Sequence, residues 1–117
     1  MYFCFVEKRN DFWVTMSEEE KYFTENQEKV ARFAKALSNP VRVFILDYLS
    51  QNCDKCCYSG DMAEELPIAR STLSEHLKEL KNAGLIHGET SAPFIRYCIN
   101  DKIWEEAKIL FSNFFKK

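Results

Sequence analysis

The sequence predicts a mainly α-helical chain with a small β wing, and three observations carry the prediction. From Leu66 to Ile86 a turn leads into a helix striped by Leu73, Leu77 and Leu80 and stopped at Gly84. Upstream, Asn39-Pro40 opens a helix that is apolar around much of its circumference. Downstream, two short β-prone runs, Leu85 to Thr90 and Phe94 to Ile99, are joined by Ser91-Ala-Pro93. The expected order is four helices, two strands and a terminal helix, with room for a short extra strand before the third helix.

Residues 1–20 have no clear period and read as an irregular N-terminal arm; residues 21–117 form the folded domain. From about Lys21 to Leu37, Phe23, Val30, Phe33, Ala34 and Leu37 fall at helical spacing. Asn39 can cap the second helix, and Pro40 fits the first helical position, where its missing N–H costs nothing. Val41, Val43, Phe44, Ile45, Leu46 and Leu49 place that helix in the middle of the core. Ser50 to Ser59 is a cysteine-rich loop. Gly60 to Leu66 is a short third helix, with Asp61 and Glu64 at capping-box spacing and Pro67 closing it. The fourth helix begins between Arg70 and Thr72, where Thr72 and Glu75 offer another capping box, and Gly84 suits the left-handed position past its end. Pro93 precedes the second strand, where a missing donor is tolerated. The last helix starts at Asp101.

At 117 residues with 46% apolar content, the chain forms one domain with a real core. Ten Phe, five Tyr and two Trp are more ring surface than so small a monomer buries easily, which favours self-association. The expected dimer face comprises Phe23, Val30, Phe33, Ile103, Trp104, Ala107, Leu110, Phe111 and Phe114. The alternative is that these rings close the protomer's own core. The lack of any run of 18 uncharged apolar residues predicts no membrane span. Met1 to Val6 runs into Glu7-Lys8-Arg9 and makes a poor signal peptide, so a cytoplasmic protein is expected. A formal charge of −2 argues against a broad, nonspecific nucleic-acid binder but leaves room for a sequence-specific one.

The leucine-striped helix carries the functional signal. Its other faces hold Arg70, Ser71, Thr72, Ser74, Glu75 and Lys78, a polar surface concentrated near the N-terminus, as reading a DNA groove requires. An ordinary solvated helix would show the same stripe, so its neighbours decide. Nothing resembles a nucleophile–base–acid set or a phosphate loop, which argues against an enzyme.

Ala36 to Leu46, Asp61 to Leu66, Ser71 to Leu80 and Ala83 to Ile86, in that order, closely resemble the ArsR/SmtB family of small winged helix-turn-helix repressors. The resemblance covers Phe33 to Ile99. It implies a homodimer built on the first and last helices, with each fourth helix presented to a major groove of double-stranded operator DNA. On that reading Ser71, Thr72, Ser74 and Glu75 stand nearest the base edges. Arg70, Lys78 and Arg96 contact phosphates, and His76, which borders the buried stripe, packs or touches a phosphate. The wing has Glu89 and no Arg or Lys between Gly88 and Pro93, so it carries little charge for a minor groove. A dimeric protein-interaction module is the competing reading.

Three of five cysteines cluster at Cys53, Cys56 and Cys57, while Cys4 and Cys98 stand alone. Clustered thiols in a cytoplasmic protein point to metal binding or redox chemistry more than to structural disulfides. The sequence fixes no cofactor. A thiophilic metal or metalloid ion (arsenite, Cd²⁺, Pb²⁺ or Zn²⁺) held by Cys53, Cys56 and Cys57, with Cys4 from the arm, is one reading. A redox switch, or thiols with no sensing role, are the others. The family's thiolate pair, matched on Asp61, falls on Tyr58 and Gly60, which supply no sulfur. The family's other site needs histidine on the last helix, which has Asp101, Glu105 and Glu106 but no histidine.

Overall fold

The computed structural model describes residues 22–52, 54–91 and 94–117. The expected arm at residues 1–20, with Cys4, lies outside the described residues, as does Cys53. The order is α1 (Glu25–Ala36), α2 (Pro40–Gln51), β1 (Cys56–Tyr58), α3 (Ser59–Glu65), α4 (Arg70–Asn82), β2 (Ile86–Ser91), β3 (Phe94–Ile99) and α5 (Asp101–Phe115). The extra strand before the third helix is therefore present.

Helix α1 starts at Glu25 rather than Lys21 because Thr24 caps it. The Thr24 hydroxyl accepts from the Gln27 N–H at 3.0 Å, and the Gln27 side chain accepts from the Thr24 N–H at 2.9 Å. Phe23 consequently lies outside the helix. Asn39 caps α2 through the Val41 N–H at 2.8 Å, with Pro40 in the first position as expected. The two capping boxes expected further on do not form. Helix α3 starts at Ser59, which puts Asp61 inside the first turn, and α4 starts at Arg70, which puts Thr72 inside it; neither has a side-chain cap.

The three strands form one antiparallel sheet in the order β1-β3-β2. The register sets Cys56 opposite Cys98 and Cys98 opposite His87. The next row toward the wing tip is Tyr58, Arg96 and Glu89. Alternation along the strands sends these two rows to the outer face. Ile86, Cys57, Tyr97 and Ile99 face the helices and belong to or pack on the core.

Phe33 of α1, Ile45, Leu46 and Leu49 of α2, Met62 of α3 and Leu73, Leu77 and Leu80 of α4 meet Leu85, Ile86 and Ile99 in one core. No polar or charged residue is buried among those described. Phe33 and Ala107 are only 2% and 7% exposed, so they serve the protomer's own core and cannot face a partner. Helix α1 packs on α5, and Lys29 ties them by donating to Glu106, with Glu25 3.4 Å away. The Glu106 carboxylate is the main cause that pushes the Lys29 ammonium pKa upward. No helix among the described residues is long and apolar enough to cross a membrane.

Gly84 ends α4 at φ 86°. Its N–H reaches the Lys81 carbonyl at 2.9 Å and the Leu85 N–H reaches the Leu80 carbonyl at 3.2 Å, the paired bonds of a Schellman stop. A side chain at Gly84 meets only ordinary contact with Ile103, so the cost of Gly84→Ala is conformational. We expect a loss of about 1–2 kcal/mol in urea denaturation with an unchanged m-value. A neutral substitution would contradict the left-handed stop.

Candidate nucleic-acid interface

Helix α3, the turn at 66–69 and helix α4 form a helix-turn-helix. Leu73, Leu77 and Leu80 hold α4 on the core, against α2 and β2. The remaining faces are solvated: Arg70, Ser71, Thr72, Ser74, Glu75 and Lys78 are all exposed. The first turn of α4 has no acidic residue and no side-chain cap, so its N–H groups and positive dipole end face outward. Arg70 and Lys78 form no ion pair with any described residue. Three hydroxyls, two cations and a helix N-terminus therefore converge on one solvated surface.

His76 is half-buried, and its Nδ1 lies 3.0 Å from Nη1 of Arg42. A guanidinium only donates, so Nδ1 is the acceptor and the ring proton sits on Nε2. Arg42 also donates through Nε to the Ala36 carbonyl at 2.7 Å, and through Nη2 to the Lys35 carbonyl and the Ser38 hydroxyl, each at 3.3 Å. It thus satisfies the open carbonyls at the end of α1 and braces α4 from behind. Nothing local in the sequence marks that role, because Arg42 and His76 are 34 residues apart. Arg42→Ala should lower stability by about 1–3 kcal/mol, since it strips a partner from carbonyls and from His76 together. Thermal unfolding that does not shift would rule out the brace.

Arg96, expected to contact phosphate, is paired with carboxylates of its own chain. Its Nη2 binds Asp54 at 2.6 Å and its Nη1 binds Glu89 at 3.0 Å, so carboxylates occupy both ends of the fork. The bond to Asp54 is the largest cause that raises the guanidinium's pKa. The Cys56 backbone N–H and then Arg96 hold the Asp54 carboxyl below its usual range. Arg96 therefore clamps the loop before β1 to the wing.

The cysteines are arranged differently from the expected cluster. Cys56 and Cys57 are consecutive on β1 and point to opposite faces, so the structure does not bring them to one point. Cys56 is joined to Cys98 by a disulfide, their Cα atoms 4.0 Å apart. Cys57 is a buried free thiol on the core side. Burial first, and then the nearby Asp61 charge, push its pKa up, so it stays a protonated, poorly nucleophilic thiol. Cys98, which stands alone in the sequence, is the other half of the bridge. Beside it lie His87 and Glu89, two residues with no metal role in the sequence reading. One ligand atom from each of these two and from Cys98 lies within 4.8 Å of the others.

Tyr22, Phe23, Ile109, Phe114 and Phe115 are exposed near the ends of the terminal helices, whereas Val30, Ile103, Trp104, Leu110 and Phe111 are half-buried. Once Phe33 and Ala107 are removed, these residues make up the apolar surface of α1 and α5.

Residues 39–87 match the family model described as bacterial regulatory protein, arsR family. The chain is 34% identical over 83 residues to the transcriptional repressor SdpR of Bacillus subtilis, covering 71% of this chain and 89% of that protein. It is 35% identical over 75 residues to the HTH-type transcriptional regulator CmtR of Mycobacterium tuberculosis, covering 64% of this chain and 61% of that relative's length. A homodimeric winged helix-turn-helix DNA-binding domain from Mycobacterium bovis superposes with a TM-score of 0.60 at 28% identity, covering 72% of this chain and 73% of the other.

Proposed function

The chain belongs to the arsR family of bacterial regulatory proteins, and from that premise we propose that it is a homodimeric, sequence-specific repressor that reads double-stranded operator DNA with α4. The observation that carries this reading is the solvated, uncapped N-terminal half of α4, with Arg70 and Lys78 unpaired among the described residues. Ser71, Thr72, Ser74 and Glu75 read base edges; Arg70 and Lys78 set the register on phosphates. His76 offers its Nε2 proton to a phosphate while Arg42 fixes its ring.

The dimer forms through exposed apolar side chains, Phe23 just before α1 and Ile109, Phe114 and Phe115 on α5. Support comes from their exposure and from the homodimeric relative. Binding to the operator blocks transcription, and a thiophilic ion held at cysteines outside the family's usual positions releases it. Redox control without metal is a second reading, favoured by the Cys56–Cys98 disulfide.

Selection from random duplex DNA tests the proposal. We expect an enriched pseudo-palindrome with half-sites about 10–10.5 base pairs apart, or a multiple of that, bound by two protomers. No enrichment over nonspecific duplex would overturn it.

A further inference from the structure

We infer that the outer face of the wing sheet carries a metal site formed by Cys56, Cys98, His87 and Glu89, available only when the Cys56–Cys98 disulfide is reduced. The register alone sets three of these side by side across the three strands, Cys56 on β1, Cys98 on β3 and His87 on β2. Glu89 is two residues beyond His87 on the same face. Ligand atoms of His87, Glu89 and Cys98 already lie within 4.8 Å of one another, and the Cys56 sulfur is bonded to that of Cys98. A tetrahedral zinc site needs ligand atoms roughly 3.3–3.8 Å apart, a closure within reach of rotamer changes.

The surroundings favour the same set. Arg96 holds Oε1 of Glu89 at 3.0 Å and leaves Oε2 facing the site, 4.0 Å from His87 Nδ1. His87 and Glu89 are half-exposed, so an ion can enter from solvent. Two thiolates, an imidazole and a carboxylate suit Zn²⁺ or Cd²⁺ rather than a hard cation. Cys57 is excluded because it faces the core, and neither of the family's usual positions contributes a ligand.

The two states exchange by balanced steps. A dithiol transfers two electrons and two protons to the disulfide, giving the Cys56 and Cys98 thiols and its own cyclic disulfide. A divalent ion then displaces both thiol protons as two metal–sulfur bonds form. Oxidation by a disulfide reverses the sequence and expels the ion. Cys56 lies on the strand that leads directly into α3, so exchanging a bridge for an ion repositions the first helix of the helix-turn-helix. That regulatory consequence rests on the DNA-binding reading above; the metal site itself does not.

Titration of the full chain with Zn²⁺ and with Co²⁺ as a spectroscopic probe, without DNA, tests the site. The dithiol-reduced protein should bind one ion per protomer with thiolate-to-cobalt charge-transfer absorption, and the oxidised protein should bind none there. His87→Ala, at an exposed position that leaves the core intact, should weaken Zn²⁺ by at least tenfold, and Glu89→Gln by about tenfold. Cys98→Ser should remove most of the charge-transfer intensity, whereas Cys53→Ser should leave both readouts unchanged. Equal binding by the oxidised protein overturns the inference. So does wild-type affinity in His87→Ala, or loss of the ion in Cys53→Ser.

Discussion

Replacing Arg70, Ser71 and Thr72 together with alanine should weaken binding to the selected duplex at least 100-fold, about 2.7 kcal/mol, while the dimer mass stays unchanged. The size follows from what the three side chains do. Each lost base contact costs about 1–3 kcal/mol, and losing the Arg70 charge adds an unreleased counterion. All three residues are exposed, and alanine is a better helix former than any of them. Stability should therefore move by no more than about 0.5 kcal/mol. Lys78→Ala, by contrast, should weaken all sequences alike and lower the salt slope by about 1. Wild-type affinity in the triple variant would sink the recognition role of α4.

Leu77→Ala should have the largest effect on the fold, about 2–5 kcal/mol. Leu77 is 1% exposed and sits midway along the stripe that holds α4 to the core. Truncation leaves a cavity where the recognition helix meets the body, in a domain whose total stability is only about 5–15 kcal/mol. The melting temperature should fall by several degrees per kcal/mol, and α4 should lose its fixed placement before the sheet does. A loss below about 1 kcal/mol would contradict this packing.

What the sequence revealed and what it hid divide along the range of the interactions. The Asn39 cap, the Pro40 start, the leucine stripe and the Gly84 stop depend on neighbours within a turn or two, so each was legible. Thr24 and Gln27 carry a capping-box spacing that was equally local, yet the hydrophobic period drew the start of α1 too early. The site chemistry that went unseen is long-range. Arg96 reads as a free cation until the fold brings Asp54, 42 residues away, against it. Cys98, His87 and Cys56 become neighbours only through strand register, which no local pattern in the cysteine loop encodes. Phe33 and Ala107 looked like interface residues because helical spacing marks an apolar face without saying what covers it. The candidate DNA surface could be proposed from the sequence because its residues lie on one helix and need no long-range pairing to be placed together.

The central claim, that α4 enters a major groove, is tested most directly by dimethyl sulfate protection of the selected duplex. The reagent methylates guanine N7 in the major groove and adenine N3 in the minor groove. Guanine N7 should be protected in two half-sites about one helical turn apart, or a multiple of that, and the protection should be lost in the Arg70/Ser71/Thr72 variant. Protection confined to adenine N3, or guanine N7 protection that persists in that variant, would contradict it.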